Sequence, residues 1–181
     1  MLDVRSAARP PTVGAVSTAR PVAVAALLGL TALAAPAAAE GSPTCSMKAA
    51  RQAIRTTPAA AALRATLDGP FALIAQLWCR DVTRDGVDDM TVTVSGGGTA
   101  GVMGWAVFRT VGARRRLVLL RPDGQHFRIR LTGRSEIWEQ YPVYRERDPG
   151  CCPTGGYENR RFRWDGDRFV VARRWRTTDA G

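Results

Sequence analysis

Oxygen-bearing groups alternate along residues 81–89, DVTRDGVDD. The donors stand at the first, third, fifth, seventh (a main-chain carbonyl) and ninth positions, namely Asp81, Thr83, Asp85, Val87 and Asp89. Ca²⁺ takes six to eight oxygen ligands, and alternate positions of a looped backbone point successive donors inward. The spacing therefore predicts a structural calcium site. The EF-hand class is excluded, because Val92 stands where that loop has its bidentate Glu.

A second interpretation of the same loop needs no metal. Asp81 and Asp85 can accept hydrogen bonds from nearby backbone amides, as Asp side chains commonly do in turns. In that case Arg80 or Arg84 would neutralise them. The sequence leaves calcium binding and amide capping open.

Four cysteines offer disulfide chemistry: Cys45, Cys79, Cys151 and Cys152. Residues 1–39 resemble a secretory signal peptide, and an even number of cysteines in an exported chain favours two bridges. A zinc site is excluded because no paired CxxC spacing or nearby histidine is present. Of the three connectivities, we favour Cys45–Cys79 with a vicinal Cys151–Cys152 bridge, because Pro153 and Gly155-Gly156 permit an unusual turn there. The other two pairings remain open.

Arginine clusters near the C-terminus predict weak binding to a polyanion. The chain has 26 Lys+Arg against 16 Asp+Glu, a formal net charge of +10, and Lys48 is its one lysine. Export makes anionic cell-wall polymer, or another envelope protein, the expected partner instead of nucleic acid. The candidate residues are Arg160, Arg161, Arg163, Arg173, Arg174 and Arg176.

Catalytic chemistry finds little support in the residue types. His126 is the single histidine, so a histidine-based catalytic site would depend on one imidazole. A hydrolase acting through two carboxylates is the alternative, and it would draw on Asp88, Asp89, Glu136, Glu139 and Glu146. We predict a non-enzymatic envelope or extracellular binding or structural module, with no catalytic residue assigned.

The N-terminal residues resemble a secretory signal peptide. Basic residues precede an apolar run at 22–33, and Ala37-Ala38-Ala39 matches the small residues before a cleavage site. We predict a signal peptide over residues 1–39 and a single exported domain over 40–181. The exported chain is expected to be a monomer without a membrane span, either secreted or held in the periplasm or cell envelope.

The elements that position these residues change in type along the exported chain. Alanine-rich stretches after Ser46 and Thr57-Pro58 predict two short helices. From Phe71 onward a period near two and frequent turn signals predict an antiparallel β-meander of about seven or eight strands, hence an α+β fold. Asp123-Gly124 and Asp165-Gly166 are typical of tight hairpin turns. The candidate strands cover residues 72–79, 90–95, 105–110, 116–121, 126–131, 136–144, 157–164 and 168–176.

Two segments resemble known families. Residues 73–95, with their single DVTRDGVDD loop, are similar to the calcium loop of FG-GAP/VCBS-type repeats, although one copy cannot close a propeller. Residues 148–170, DPGCCPTGGYENRRFRWDGDRFV, resemble the C-terminal part of small exported actinobacterial proteins that include LppP/LprE-type lipoproteins. The chain departs from those lipoproteins before Cys45, where Ser42-Pro43-Thr44 is unlike a lipobox. Neither resemblance implies a defined reaction.

Overall fold

The computed structural model describes residues 43–133 and 135–180. The predicted signal peptide and its cleavage site after residue 39 lie outside these residues. Two helices come first, α1 (Met47–Thr56) and α2 (Ala61–Leu67), separated by a short 3-10 turn at Pro58–Ala60. The Ser46 hydroxyl accepts a hydrogen bond from the Ala49 amide at 3.2 Å, so α1 begins with a side-chain cap.

Eight antiparallel strands follow and form two four-stranded sheets. The first sheet contains β1 (Leu73–Arg80), β2 (Asp89–Ser95), β3 (Val102–Val111) and β4 (Arg114–Arg121), in that order. The second contains β5 (Arg128–Thr132), β6 (Glu136–Pro142), β7 (Tyr157–Trp164) and β8 (Phe169–Thr177). The N-terminal helices and the antiparallel strand succession agree with the sequence prediction, but the meander divides into two sheets.

The division falls at Asp123-Gly124, which the sequence analysis assigns to a hairpin turn. The Gly124 amide donates to the Met103 carbonyl at 3.0 Å, and the Phe127 amide donates to the Val102 carbonyl at 3.1 Å. The segment after β4 is therefore held against the start of β3, and β5 joins the other sheet. The hairpin prediction is wrong here, because these long-range hydrogen bonds replace local strand pairing. At Asp165-Gly166 the predicted turn does connect two paired strands, β7 and β8.

Two hydrophobic cores lie on opposite faces of the first sheet. One core joins both helices to residues such as Val92 and Phe108, and the other joins the first sheet to the second through residues such as Trp105, Val107 and Phe162. Adjacent strand residues point to opposite faces, so Val107 and Phe108 enter different cores. The first sheet is thus the middle layer of the domain, which explains why every residue of β2 except its last is buried.

A buried carboxylate connects the two sheets. Glu139 of β6 is fully buried, and its Oε2 accepts hydrogen bonds from Trp105 Nε1 at 2.6 Å and Arg121 Nε at 3.0 Å. Arg160 Nη1 of β7 lies 3.7 Å from the other carboxylate oxygen. Removing one member of such a group leaves the other polar side chains buried without a partner. The protein then loses more free energy of unfolding than the intact group contributes.

We predict that Glu139→Ala lowers the free energy of unfolding by roughly 3–5 kcal/mol, because Trp105, Arg121 and Arg160 all lose their common partner. Urea unfolding of the purified domain measures this loss. The control is Glu136→Ala on the same strand, where a partly exposed carboxylate lies 3.7 Å from Arg161; we expect it to cost about 1 kcal/mol or less. Equal losses in the two variants would contradict the role of Glu139.

Candidate functional site

The acidic loop lies between β1 and β2 and is closed by its own carboxylates. Asp81 accepts hydrogen bonds from the amides of Asp85 and Gly86 at 3.1 and 2.9 Å. Asp85 in turn accepts one from the Val87 amide at 3.0 Å. Gly86 has a φ of 84°, a left-handed conformation that glycine adopts without strain. The first two carboxylates of the predicted calcium set therefore cap turns of the loop.

Asp89 fastens the loop to the first sheet. It is fully buried, and its Oδ2 accepts hydrogen bonds from the amides of Val82 and Thr83 at 3.1 and 2.9 Å. Its Oδ1 accepts one from the Thr110 amide of β3 at 3.1 Å. Burial raises the pKa of Asp89, and the amides of Thr110 and Thr83 oppose this rise only in part. Asp89 thus satisfies three backbone donors from two different segments.

Arg109 of β3 supplies the positive charge for this loop. Its Nε donates to Asp85 Oδ2 at 2.9 Å, and its guanidinium also lies 5.5 Å from the ring centroid of Trp164. Burial raises the pKa of Asp85, but the Val87 amide and the Arg109 guanidinium together lower the pKa below its ordinary value. Sequence reasoning did not identify Arg109, which is 24 residues from its partner along the chain.

Arg80 and Arg84, the two neutralising residues that the sequence suggests, have other partners. Arg80 Nη1 donates to the Gly133 carbonyl at 3.2 Å, and Arg84 Nε donates to Ser135 Oγ at 2.6 Å. Both acceptors lie in the turn between β5 and β6. The two arginines therefore hold the acidic loop against the second sheet. Asp85 is neutralised by Arg109 instead, whereas Asp81 contacts backbone amides.

Calcium binding by the loop stays a prediction. Among the residues that the structure describes, no group of three or more His, Cys, Asp or Glu side chains is placed to share a metal ion. Amide capping accounts for the contacts of Asp81 and Asp89, and together with Arg109 it accounts for those of Asp85. Thr83, the second oxygen donor of the predicted set, is buried, and its backbone amide donates to Asp89.

The disulfides follow the pairing that the sequence analysis favours. Cys45 bonds to Cys79, with their Cα atoms 6.0 Å apart, and ties the segment before α1 to β1. Cys151 bonds to Cys152 in the exposed loop between β6 and β7. Because the sulfur of Cys45 is engaged with Cys79, it is not free to carry a thioether-linked lipid.

The six predicted polyanion-binding arginines lie on two opposite faces of the second sheet. Arg160 points to the side of the inter-sheet core, where it contacts Glu139, Glu158 and the Tyr141 hydroxyl. Arg174 Nε lies 3.4 Å from Glu158, and Arg176 pairs with Glu158 in the strand register. Alternation places the remaining three, Arg161, Arg163 and Arg173, on the other face. The six residues therefore do not form one patch.

The opposite face, which we call the outer face, carries further arginines and two tryptophans that sequence reasoning did not combine. One row across the four strands reads Arg130, Trp138, Arg161, Arg173, and the next reads Arg128, Gln140, Asn159, Trp175. The Arg130 guanidinium lies 5.1 Å from the Trp138 ring centroid, and that of Arg173 lies 5.2 Å from the Trp175 centroid. Strand pairing thus assembles a mixed cationic and aromatic surface from residues that are distant in sequence.

The carboxylates considered for a hydrolase have structural partners or are exposed to solvent. Asp89 accepts three backbone amides, and Glu139 accepts Trp105 and Arg121 between the sheets. Glu136 lies near Arg161, while Asp88 and Glu146 are exposed. These contacts give the hydrolase alternative no support.

Comparison with known proteins gives one family match. Residues 120–167 match the model of the LppP/LprE lipoprotein family. Neither the curated proteins nor the solved structures contain a significant match to the chain. The match associates this segment, which runs from the end of β4 to the β7–β8 turn, with a lipoprotein family and hence with the cell envelope. It overlaps the C-terminal resemblance seen in the sequence, and the FG-GAP/VCBS resemblance stays a prediction.

No helix in residues 43–133 and 135–180 is long and apolar enough to cross a membrane.

We predict that Asp89→Ala destabilises the domain by about 3 kcal/mol, because three buried amides lose their acceptor. The adjacent Asp88→Ala is the control: the Asp88 side chain is exposed, and only its main-chain carbonyl receives the Thr110 hydroxyl. Thermal melting of both variants and the wild type in chelator and in millimolar calcium measures the effect. If Asp89 acts by accepting hydrogen bonds from backbone amides, Asp89→Ala lowers the melting temperature in chelator as well as in calcium. A calcium-dependent rise of the wild-type melting temperature would establish ion binding in addition.

Proposed function

We propose that this protein is a non-enzymatic module of the cell envelope that binds an anionic cell-wall polymer through the outer face of the second sheet. The observation that carries the proposal is the row Arg130, Trp138, Arg161 and Arg173, in which cationic and aromatic side chains stand on neighbouring strands. The family match at residues 120–167 supports the envelope location.

The spacing of the outer face suits a repeating anion. Neighbouring strands lie about 4.8 Å apart, so one row of four residues extends across roughly 15 Å. Arg128 and Trp175 begin and end the next row, and Arg163 stands opposite Glu136 in a third. A linear polymer lying across the strands would meet a guanidinium on three of the four strands of the first row.

The residue types suit a carbohydrate polymer with acidic groups. Arginine presents a planar set of donors that matches a carboxylate or phosphate, and it also stacks on aromatic rings. The contacts of Arg130 with Trp138 and of Arg173 with Trp175 hold both guanidinium planes near the rings. Tryptophan offers a large flat apolar surface with few rotatable bonds, and such a surface packs well against the C–H face of a sugar ring.

We predict that the triple variant Arg161→Gln, Arg163→Gln, Arg173→Gln binds polygalacturonate about 10- to 100-fold more weakly than the wild type. Three charge contacts at the protein surface, of about 0.5–1 kcal/mol each, give this range. Affinity measured by biolayer interferometry should also lose much of its dependence on salt. Neutral dextran serves as the probe that lacks the anionic group.

The matched control removes the same three charges elsewhere. Arg51, Arg114 and Arg147 are exposed and lie outside the second sheet, so their triple Gln variant should retain binding near the wild-type level. Similar weakening by both triple variants would reduce the effect to net charge and contradict a site on the outer face. Melting curves of both variants verify that the fold is intact.

A further inference from the structure

A cavity of about 280 Å³ opens where β4 and β6 end. Its lining includes Arg121, Asp123, Gln125, Phe127, Tyr141 and Tyr144. We propose that this cavity binds a single acidic sugar residue of the uronic acid class. In this assignment Arg121 receives the carboxylate, the aromatic rings pack against the sugar ring, and Asp123 and Gln125 bond its hydroxyl groups.

The Arg121 guanidinium of this cavity is held in place by residues that do not line the cavity. Arg121 Nε donates to Oε2 of the buried Glu139 at 3.0 Å, and Trp105 Nε1 fixes the same oxygen at 2.6 Å. Within the described residues, Glu139 is the hydrogen-bonded partner of the Arg121 side chain and uses its Nε. The two terminal nitrogens of Arg121 therefore remain available for a further acceptor. A guanidinium positioned before the ligand arrives loses little conformational entropy on binding.

The aromatic side chains of the cavity are also constrained. Phe127 and Tyr141 meet edge to face with ring centroids 6.0 Å apart, and the Tyr144 hydroxyl donates to the Gly150 carbonyl at 2.7 Å. The Tyr141 hydroxyl accepts a hydrogen bond from Arg160 Nη2 at 2.6 Å. Rigid apolar walls with a few placed polar groups are the usual composition of a small-molecule site.

The segment that carries Asp123, Gln125 and Phe127 has an unusual backbone. His126 has a φ of 54°, which is sparsely populated for residues other than glycine, and its amide donates to the Ala100 carbonyl at 2.9 Å. A Cβ on Gly124 would overlap the Phe127 ring, so the packing requires glycine there. Strained conformations persist where the surrounding structure imposes them, and they concentrate at ligand sites.

The cavity and the outer face are separate. Tyr141 packs with the core between the two sheets, whereas Arg161 and Arg173 stand on the opposite side of the second sheet. The inference therefore goes beyond the proposed function and does not depend on it. All six of the named cavity residues lie within residues 120–167, the segment that matches the lipoprotein family.

Glucuronate is the probe for this site, with glucose and benzoate as comparison ligands, and isothermal titration calorimetry on the folded protein is the measurement. We expect glucuronate to bind, glucose to bind at least tenfold more weakly because it lacks the carboxylate, and benzoate to bind at least tenfold more weakly because it lacks the hydroxyl groups. Arg121→Gln should weaken glucuronate binding at least tenfold. Arg116→Gln, on the same strand and exposed, should leave it unchanged.

Arg121→Gln also removes a partner of Glu139, so a second variant separates binding from folding. Tyr144→Ala shortens one wall of the cavity without touching Glu139, and we expect it to weaken glucuronate binding about fivefold. The assignment is overturned if the wild type does not bind glucuronate, or if it binds glucose as tightly as glucuronate or benzoate more tightly. It is also overturned if Arg116→Gln and Arg121→Gln weaken glucuronate binding equally. The outer-face triple variant should bind glucuronate normally, so the two proposals fail independently.

Discussion

The buried carboxylate of Glu139 is the constraint on which the arrangement of the two sheets depends. A carboxylate removed from water needs donors, and this one takes them from Trp105 of β3 and Arg121 of β4, with Arg160 of β7 nearby. The polar contact specifies which residues of the two sheets oppose each other, whereas the apolar residues around it tolerate many pairings. It also orients Arg121 toward the candidate sugar cavity, so one group serves both the packing and the site.

The first sheet has a comparable role for the loops. Its middle strands are buried on both sides by the helices and by the second sheet, and they provide fixed points to which irregular segments attach. Asp89 secures the acidic loop to β3 through the Thr110 amide, and the segment after β4 is secured to the start of β3 through Gly124 and Phe127. Loops fastened in this way can present side chains with little loss of entropy on binding.

The family match and the disulfides bear differently on envelope association. The matched segment, residues 120–167, contains Glu139, Arg121, Arg160 and the cavity residues, so it covers the candidate sugar site and part of the inter-sheet contact, whereas Trp105 lies outside it. Cys45, in contrast, lies outside it and is bonded to Cys79. The disulfide engages the sulfur of this cysteine, so the proposed binding through the outer face does not involve it.

The sequence by itself determined the local features: the N-terminal helices, a succession of about seven or eight antiparallel strands, and the capped acidic turn as one of two alternatives. Each depends on neighbours within a few residues or on simple periodicity. Only the tertiary structure decided that the strands form two sheets, that Arg109 pairs with Asp85, and that Arg161 stands between Trp138 and Arg173 on the outer face. Those outcomes depend on which distant residues meet across strands, and composition and spacing along one strand do not specify the partner.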